Sequence, residues 1–226
     1  MKRILQHFRY SQQKTQNLIL VDFNDKLIQS IDKWEAHSTK YIFNEKSFPH
    51  RAFSLFLFDK NYRLLLQQRS NAKKTFPLLW ANTCCSHQLY HENEDDQVMK
   101  YSRSEYYVKK RTLEELNFDI KDTQIELVQK IIYSAKDNDQ YGEYELDYIY
   151  FAKLQQDQPK INGNPEEVND CKWLSLNEFL QFKQLNKNSF TPWFNLINDS
   201  YLLNWWSKYQ ENNKSFFSKE TIVKLN

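Results

Sequence analysis

Phe53-Ser54-Leu55-Phe56-Leu57-Phe58, then Asp59-Lys60-Asn61-Tyr62, then Leu64-Leu65-Leu66-Gln67-Gln68-Arg69 is an apolar run, a polar interruption and a second apolar run, the pattern of two strands joined by a turn. The first run is apolar at nearly every position rather than at alternate ones, which predicts a central strand covered on both faces. Upstream, Leu18 to Phe23, the turn pair Asn24-Asp25 and Leu27-Ile28 read as a second hairpin. Downstream, Val128 to Ser134 and Glu143 to Leu154 read as strands around the loop Asp137 to Gly142. Ser102 to Leu116 lacks breakers and sets Tyr106, Leu113 and Leu116 at helical spacing, which predicts a helix. Ser175-Leu176-Asn177-Glu178 has the form of a capping box. Beyond Pro192 an aromatic helix is expected to carry Trp193, Phe194, Trp205 and Trp206. Strands, helix, strands and helices in this order predict an α/β (α+β) fold, a mixed β-sheet sandwiched between helices.

Composition narrows the function classes. The 226 residues contain no low-complexity linker and read as a single domain over 17–226, preceded by a flexible N-terminal extension over 1–16. That extension is basic, with no acid before Asp22, a faint transit-peptide character. Hydrophobic residues make up 40% of the chain, enough for a real core. Thirty-one Lys and Arg against 29 Asp and Glu leave a net charge of +2, which argues against nucleic acid or a membrane held by bulk charge. Any anion is therefore gripped locally, and with two glycines in the chain no glycine-rich phosphate loop can be built. Three cysteines, two of them adjacent, are no disulfide framework and fit a reducing cytosol. No apolar run approaches the ~20 residues needed to span a bilayer. A monomer or weak dimer is expected.

Candidate chemistry gathers in Trp80-Ala81-Asn82-Thr83-Cys84-Cys85-Ser86-His87, where two thiols and an imidazole fall within four residues. In Gly142-Glu143-Tyr144-Glu145-Leu146-Asp147-Tyr148, strand alternation puts Glu143, Glu145 and Asp147 on one face. Aligned acids repel unless a cation or shared protons relieve them, although a solvated strand face accounts for this segment as well. His37, His50 and His87 each lie beside a predicted strand or its loop. With two glutamates they would make a five-ligand site for Zn, Mn or a similar divalent ion, while taken singly each reads as an ordinary surface or core histidine. Arg111 and Glu115 share a helix face, so that one could hold a phosphate and the other a metal on it; on spacing alone an ordinary surface ion pair is favoured. Arg69 and Lys73 add positive charge just before the thiols and could clamp a diphosphate, though such a run is usually only solvated.

Five blocks then fall in the order and spacing of a known family: His50 to Ser54, Leu64 to Ser70, Asn82 to His87, Gly142 to Tyr148 and Thr191 to Phe194. From about Leu18 to Trp206 the chain resembles type I isopentenyl-diphosphate delta-isomerase, whose fold is of the Nudix kind. The resemblance implies that the chain moves the double bond of isopentenyl diphosphate to give dimethylallyl diphosphate. It implies Cys85 and Glu145 as the catalytic pair, with Tyr133 beside the acid. It further implies a divalent metal (Zn2+, Mn2+ or Mg2+) on His37, His50, His87, Glu143 and Glu145, and Mg2+ on the substrate diphosphate facing Glu115. Arg69, Lys73 and Arg111 would be the anion contacts and Trp193 the aromatic wall. The sequence leaves open which of the pair protonates first; Glu145, with Tyr133, is favoured as donor and Cys85 as the group that removes a proton. No flavin is expected. The helix departs from the Nudix hydrolase pattern: Asn117 stands for its glycine and Arg111 for its earlier glutamate. Asn tolerates the left-handed cap, and the exchange of glutamate for arginine weighs against hydrolysis. A Nudix diphosphate hydrolase and a non-catalytic, metal-stabilised binding module remain as alternatives. Cys84 reads as a buried small hydrophobe, Cys171 as core, and His7 and His91 as surface residues.

Overall fold

The computed structural model describes residues 16–225; the expected N-terminal extension, apart from Gln16, and His7 lie outside them. The elements in order are β1 (Asn17–Val21), β2 (Leu27–Asp32), α1 (Lys33–Ala36), α2 (Thr39–Ile42), β3 (His50–Phe58), β4 (Leu64–Arg69), β5 (Trp80–Ala81), β6 (Cys84–His87), α3 (Asp96–Lys100) and α4 (Ser102–Leu116). They continue with β7 (Ile125–Lys136), β8 (Gly142–Lys153), β9 (Val168–Leu174), α5 (Leu176–Leu185), α6 (Pro192–Ile197), α7 (Leu203–Gln210) and β10 (Ser218–Lys224).

All nine residues of β3 are buried, as its unbroken apolar run predicts. One edge of β3 pairs in parallel with β8 over its whole length. Its other edge is shared in turn by β1 at His50, β6 from Ala52 to Leu55 and β4 at Phe58, all antiparallel. The main path of the sheet runs β10-β7-β8-β3-β1-β2, with β4, β5, β6 and β9 branching from it. The β3–β4 turn is as expected, but the two strands stay paired only at Phe58 and Leu64. Below that point β4 leaves to join β5 and β9, and the gap admits β6 with the thiols. This is a mixed sheet between helices, the expected fold class.

Alternation along the strands divides the core. Phe53, Leu55 and Leu57 pack with Tyr107, Val108 and Leu116 of α4 on one face. Phe56, Phe58, Ile149 and Phe151 pack on the other with the aromatic side chains of α5, α6 and α7, among them Trp193, Phe194, Trp205 and Trp206. The expected helix over Ser102–Leu116 forms, but Tyr106 and Leu113 stand about half exposed (50% and 48%). Its buried stripe is Ser104, Tyr107, Val108, Thr112, Glu115 and Leu116, so of the three apolar residues at helical spacing only Leu116 is covered. The aromatic helix is divided by a π-helical turn over Asn198–Leu202 between α6 and α7, a wider turn of the same helical rod.

One buried carboxylate pins the β1–β2 hairpin under the sheet. Asp25, at the turn with φ 63°, accepts from Arg51 Nε at 2.6 Å and Lys130 Nζ at 3.0 Å, and from the Tyr148 hydroxyl. These partners come from β3, β7 and β8, three of the strands that carry functional residues on the opposite face. Removing one partner of a charge so buried would leave it uncompensated and would be strongly destabilising.

Candidate active site

The site is the polar end of the aromatic-helix face, and it is built in rows across the ladder. Tyr133, Glu145 and His50 are direct neighbours on β7, β8 and β3. The next row holds Ile131, Asp147, Ala52 and His87. The third holds Ile149, Ser54 and Cys85. Because side chains two apart share a face, His50 and Glu145 continue the same lines that bury Phe56 and Phe151 farther along their strands. His37 arrives differently. Asp32 caps α1 by accepting from Trp34 and Glu35, and His37 ends that helix, its carbonyl accepting from the Gly142 amide at 2.9 Å. A Cβ on Gly142 would collide with the Ala135 carbonyl of β7 and crowd Ile42 Cδ1 of α2, so a side chain here would disturb the β7–β8 pairing beside the α1–α2 segment.

The three imidazoles converge with ring centroids 4.8–4.9 Å apart. His37 Nε2 lies 2.9 Å from Glu143, and His87 and His50 Nε2 lie 2.9 and 3.5 Å from the same Glu145 oxygen. The five donor atoms lie within 4.8 Å of one another. His50 is fully buried, yet neither ring nitrogen has a hydrogen-bond partner. A buried polar atom without a partner costs free energy, and a cation among three imidazoles and two carboxylates removes that cost. The residues fit a divalent metal. Their protonation agrees in part: burial pushes the His50 and His87 imidazoles down, while at His37 the same burial is outweighed by Glu143, which raises it.

Cys85 Sγ lies 2.9 Å from Asn82 Oδ1, to which it donates, and accepts from Trp193 Nε1 at 3.2 Å. Burial pushes the thiol up to about 12, so it is protonated at neutral pH. Glu145 behaves oppositely: burial raises it, but the adjoining His50 imidazole and the hydrogen bond from Tyr133 prevail and hold it below the usual carboxylate range. The Tyr133 phenol is pushed up by burial and by Glu145, which keeps it a neutral donor. Behind the thiol, the Ser54 hydroxyl touches Cys85 Sγ at 3.6 Å and donates to Asp147 at 2.7 Å.

These groups open into a cleft of about 490 Å³. Five basic side chains line it (Lys33, Arg69, Lys73, Lys74 and Arg111), with five acids (Glu115, Glu143, Glu145, Glu166 and Glu167). Arg111 pairs with Glu115 at 2.7 Å, and the helix ends at Asn117 in the left-handed conformation (φ 49°), as its sequence suggested. Arg69 is largely committed elsewhere. Its Nε and Nη2 donate to the carbonyls of Thr75 and Phe76, and its guanidinium lies 5.5 Å from the centre of the Trp193 ring.

Isopentenyl-diphosphate Delta-isomerase 1 (chloroplastic) of Cannabis sativa is 36% identical over 218 residues, covering 92% of this chain and 74% of its own length. Isopentenyl-diphosphate Delta-isomerase II (chloroplastic) of Arabidopsis thaliana is 37% identical over 206 residues, covering 85% and 69%. The chain belongs to the isopentenyl-diphosphate delta-isomerase family. No family model matches it. In fold, this isomerase-family chain is similar to DR0079 from Deinococcus radiodurans, with a TM-score of 0.54 at 15% identity over 82% of this chain and 99% of that one.

All twelve expected site residues of this isomerase-family chain come to one cleft or its wall: Cys85, Glu145 and Tyr133; Arg69, Lys73, Arg111 and Trp193; His37, His50, His87, Glu143 and Glu115. Lys33 was missed. It lies one helical turn before His37, and the signal was there in the spacing, but without α1 nothing directed it to the cleft. Asn82, Ser54 and Glu167 were missed as well. His91, expected on the surface, is half-buried and hydrogen-bonded to the Tyr107 hydroxyl at 2.9 Å. Cys84 is fully buried as expected, and Cys171 is half-buried on β9.

Proposed function

We propose that the chain interconverts isopentenyl and dimethylallyl diphosphate by passing protons between the substrate and two side chains, Cys85 and Glu145. The observation that carries this reading is their placement: a neutral thiol and a charged carboxylate on one sheet face, opening into one cleft whose lining includes five basic side chains. Moving an unactivated double bond requires a proton delivered at one carbon and another removed two carbons away, so an acid and a base must both reach the prenyl group.

The protonation of the substrate-free site bears on direction. With the proton on Cys85 and the charge on Glu145, the first step runs from the thiol to the terminal methylene, and Glu145 accepts the second proton. This order is the opposite of the one favoured from sequence, and burial of a thiol beside no fixed positive charge strong enough to hold a thiolate supports it. The tertiary carbocation between the two steps has no lone-pair donor in the Trp193 ring, whose π face stabilises positive charge. Tyr133, donating to Glu145, positions that carboxylate.

Lys73, Arg111, Lys33 and Arg69 would hold the diphosphate, giving remote binding energy that fixes the small prenyl group. Mg2+ arriving with the diphosphate would meet Glu115, and Zn2+, Mn2+ or Mg2+ would be held by His37, His50, His87, Glu143 and Glu145, where its charge supplies electrostatic compensation for the carboxylates. Residues 17–226 would act as one unit, as a monomer or weak dimer in the cytosol, a setting supported by the three free cysteines. Among the described residues no helix is long and apolar enough to cross a membrane.

The test is proton NMR of isopentenyl diphosphate in deuterated water with purified protein and Mg2+. Dimethylallyl diphosphate carrying solvent deuterium in a methyl group supports the reading. Release of phosphate with the olefin unchanged would replace it with hydrolysis.

A further inference from the structure

Glu167, just before β9, is held in place by its backbone. The Ser70 amide donates to its carbonyl at 3.0 Å, and its own amide donates to Asn164 O at 2.9 Å. Asn164 is tied in turn to the end of α4, its amide donating to Glu115 O at 2.8 Å. From this anchored position the Glu167 carboxylate makes a close ion pair with Lys73 and a second with Arg111 at 3.3 Å. These are two of the four cations that the proposed function gives to the diphosphate. The three side chains keep only 18–24% of their exposure, so the pairs are less screened than pairs on an open surface.

We infer that Glu167 is an internal counter-anion that occupies Lys73 and Arg111 in the substrate-free protein and makes the diphosphate site select an anion that brings its own divalent cation. The inference rests on the reading of Lys73 and Arg111 as diphosphate contacts. Five basic and five acidic side chains line the cleft, so it offers a bare polyanion no excess positive charge. A metal-free diphosphate must displace Glu167 from both cations and then lie against two carboxylates, Glu167 and the buried Glu115 (1% exposed). A diphosphate that carries Mg2+ brings the positive charge those carboxylates need as their partners turn to the phosphates. Selectivity against the wrong ligand then comes from repulsion built into the site as well as from attraction.

The experiment is calorimetric titration of the full chain with inorganic diphosphate, with and without added Mg2+, for wild type, Glu167→Gln, Glu167→Asp and Lys73→Met. Without Mg2+, Glu167→Gln is expected to bind roughly five- to tenfold more tightly than wild type, and the ratio of its affinities with and without Mg2+ shrinks by about the same factor. Glu167→Asp, which keeps the charge but withdraws it, falls between the two and carries the test if the glutamine variant does not fold. Unchanged or weaker metal-free binding in both variants would overturn the inference, as would a loss confined to the Mg2+ titration, which would make Glu167 a metal ligand. Lys73→Met tests the underlying reading separately: if it binds diphosphate as wild type does, the assignment of Lys73 fails whatever Glu167 shows.

Discussion

The Tyr133 hydroxyl donates a 2.5 Å hydrogen bond to Glu145 Oε2 between directly paired positions of β7 and β8. Register therefore sets this contact, and no loop can loosen it. Tyr133→Phe removes one of the hydrogen bonds that hold the Glu145 carboxyl down against burial. The expected result is a fall in kcat of about ten- to a hundredfold with KM within about twofold. The acidic limb of the pH–rate profile moves to higher pH, because a carboxylate that loses a donor protonates more readily. Steady-state kinetics across pH measures both.

Cys85→Ala separates the two directions of proton transfer. With the thiol as first donor, the variant leaves isopentenyl diphosphate untouched, and turnover falls by at least about a thousandfold. With Glu145 as first donor, a carbocation would form without its base, and water capture would give a tertiary alcohol diphosphate. Mass spectrometry and NMR of the product mixture are expected to show no such alcohol.

The raised thiol has a chemical signature of its own. A thiol pushed up to about 12 is almost wholly protonated at pH 7, and the thiolate is the reactive form. Alkylation at Cys85 by iodoacetamide is expected to be slow at pH 7 and to rise about tenfold per pH unit through pH 10 without a plateau. Fragment-ion mass spectrometry that separates Cys85 from the adjacent Cys84, with a free small-molecule thiol as reference, checks this.

A metal held by the histidine cluster is expected to stabilise the fold, so that its removal lowers Tm. A ligand bound only by the native state and present at about a hundred times its Kd contributes roughly 2.7 kcal/mol. For a chain of this length that corresponds to about 5–11 °C in Tm. Differential scanning calorimetry after chelation is expected to show that loss, reversed by Zn2+ or Mn2+. The same addition to a His50→Ala variant leaves Tm nearly unchanged.

The metal-free protein carries a pH dependence whose sign follows from the imidazoles. His50 and His87 are depressed in the folded state by burial. The unfolded chain therefore binds more protons as pH falls below the ordinary histidine value of about 6.5. Stability drops there by up to about 2.7 kcal/mol per pH unit, two protons' worth, until the depressed folded values are reached. His37 is raised, so its contribution is fully present below about 6.5 and is lost as pH rises through its folded value. A stability maximum close to neutrality is expected in urea denaturation of chelated protein between pH 5 and 8.

The amino-acid sequence by itself determined the strand grammar, the central position of Phe53 to Phe58, the helix from Ser102 to Leu116 and the gathering of Cys85 with His87. Those features are written in neighbours, as apolar runs, turn pairs and residues a few positions apart. It also carried the blocks that resemble the family, because their order survives without any contact being known. Tertiary structure alone decided the rest. The buried stripe of α4 excludes Tyr106 and Leu113, since which helix face is covered depends on what packs against it. The rows Tyr133-Glu145-His50 and Ser54-Cys85 come from ladder register between strands far apart in the chain. Lys33 and Glu167 reach the cleft through a short capped helix and a loop tied to the end of α4. The protons divide unequally between Cys85 and Glu145 for the same reason: burial and partners belong to the folded environment, and neither can be read from the residue types.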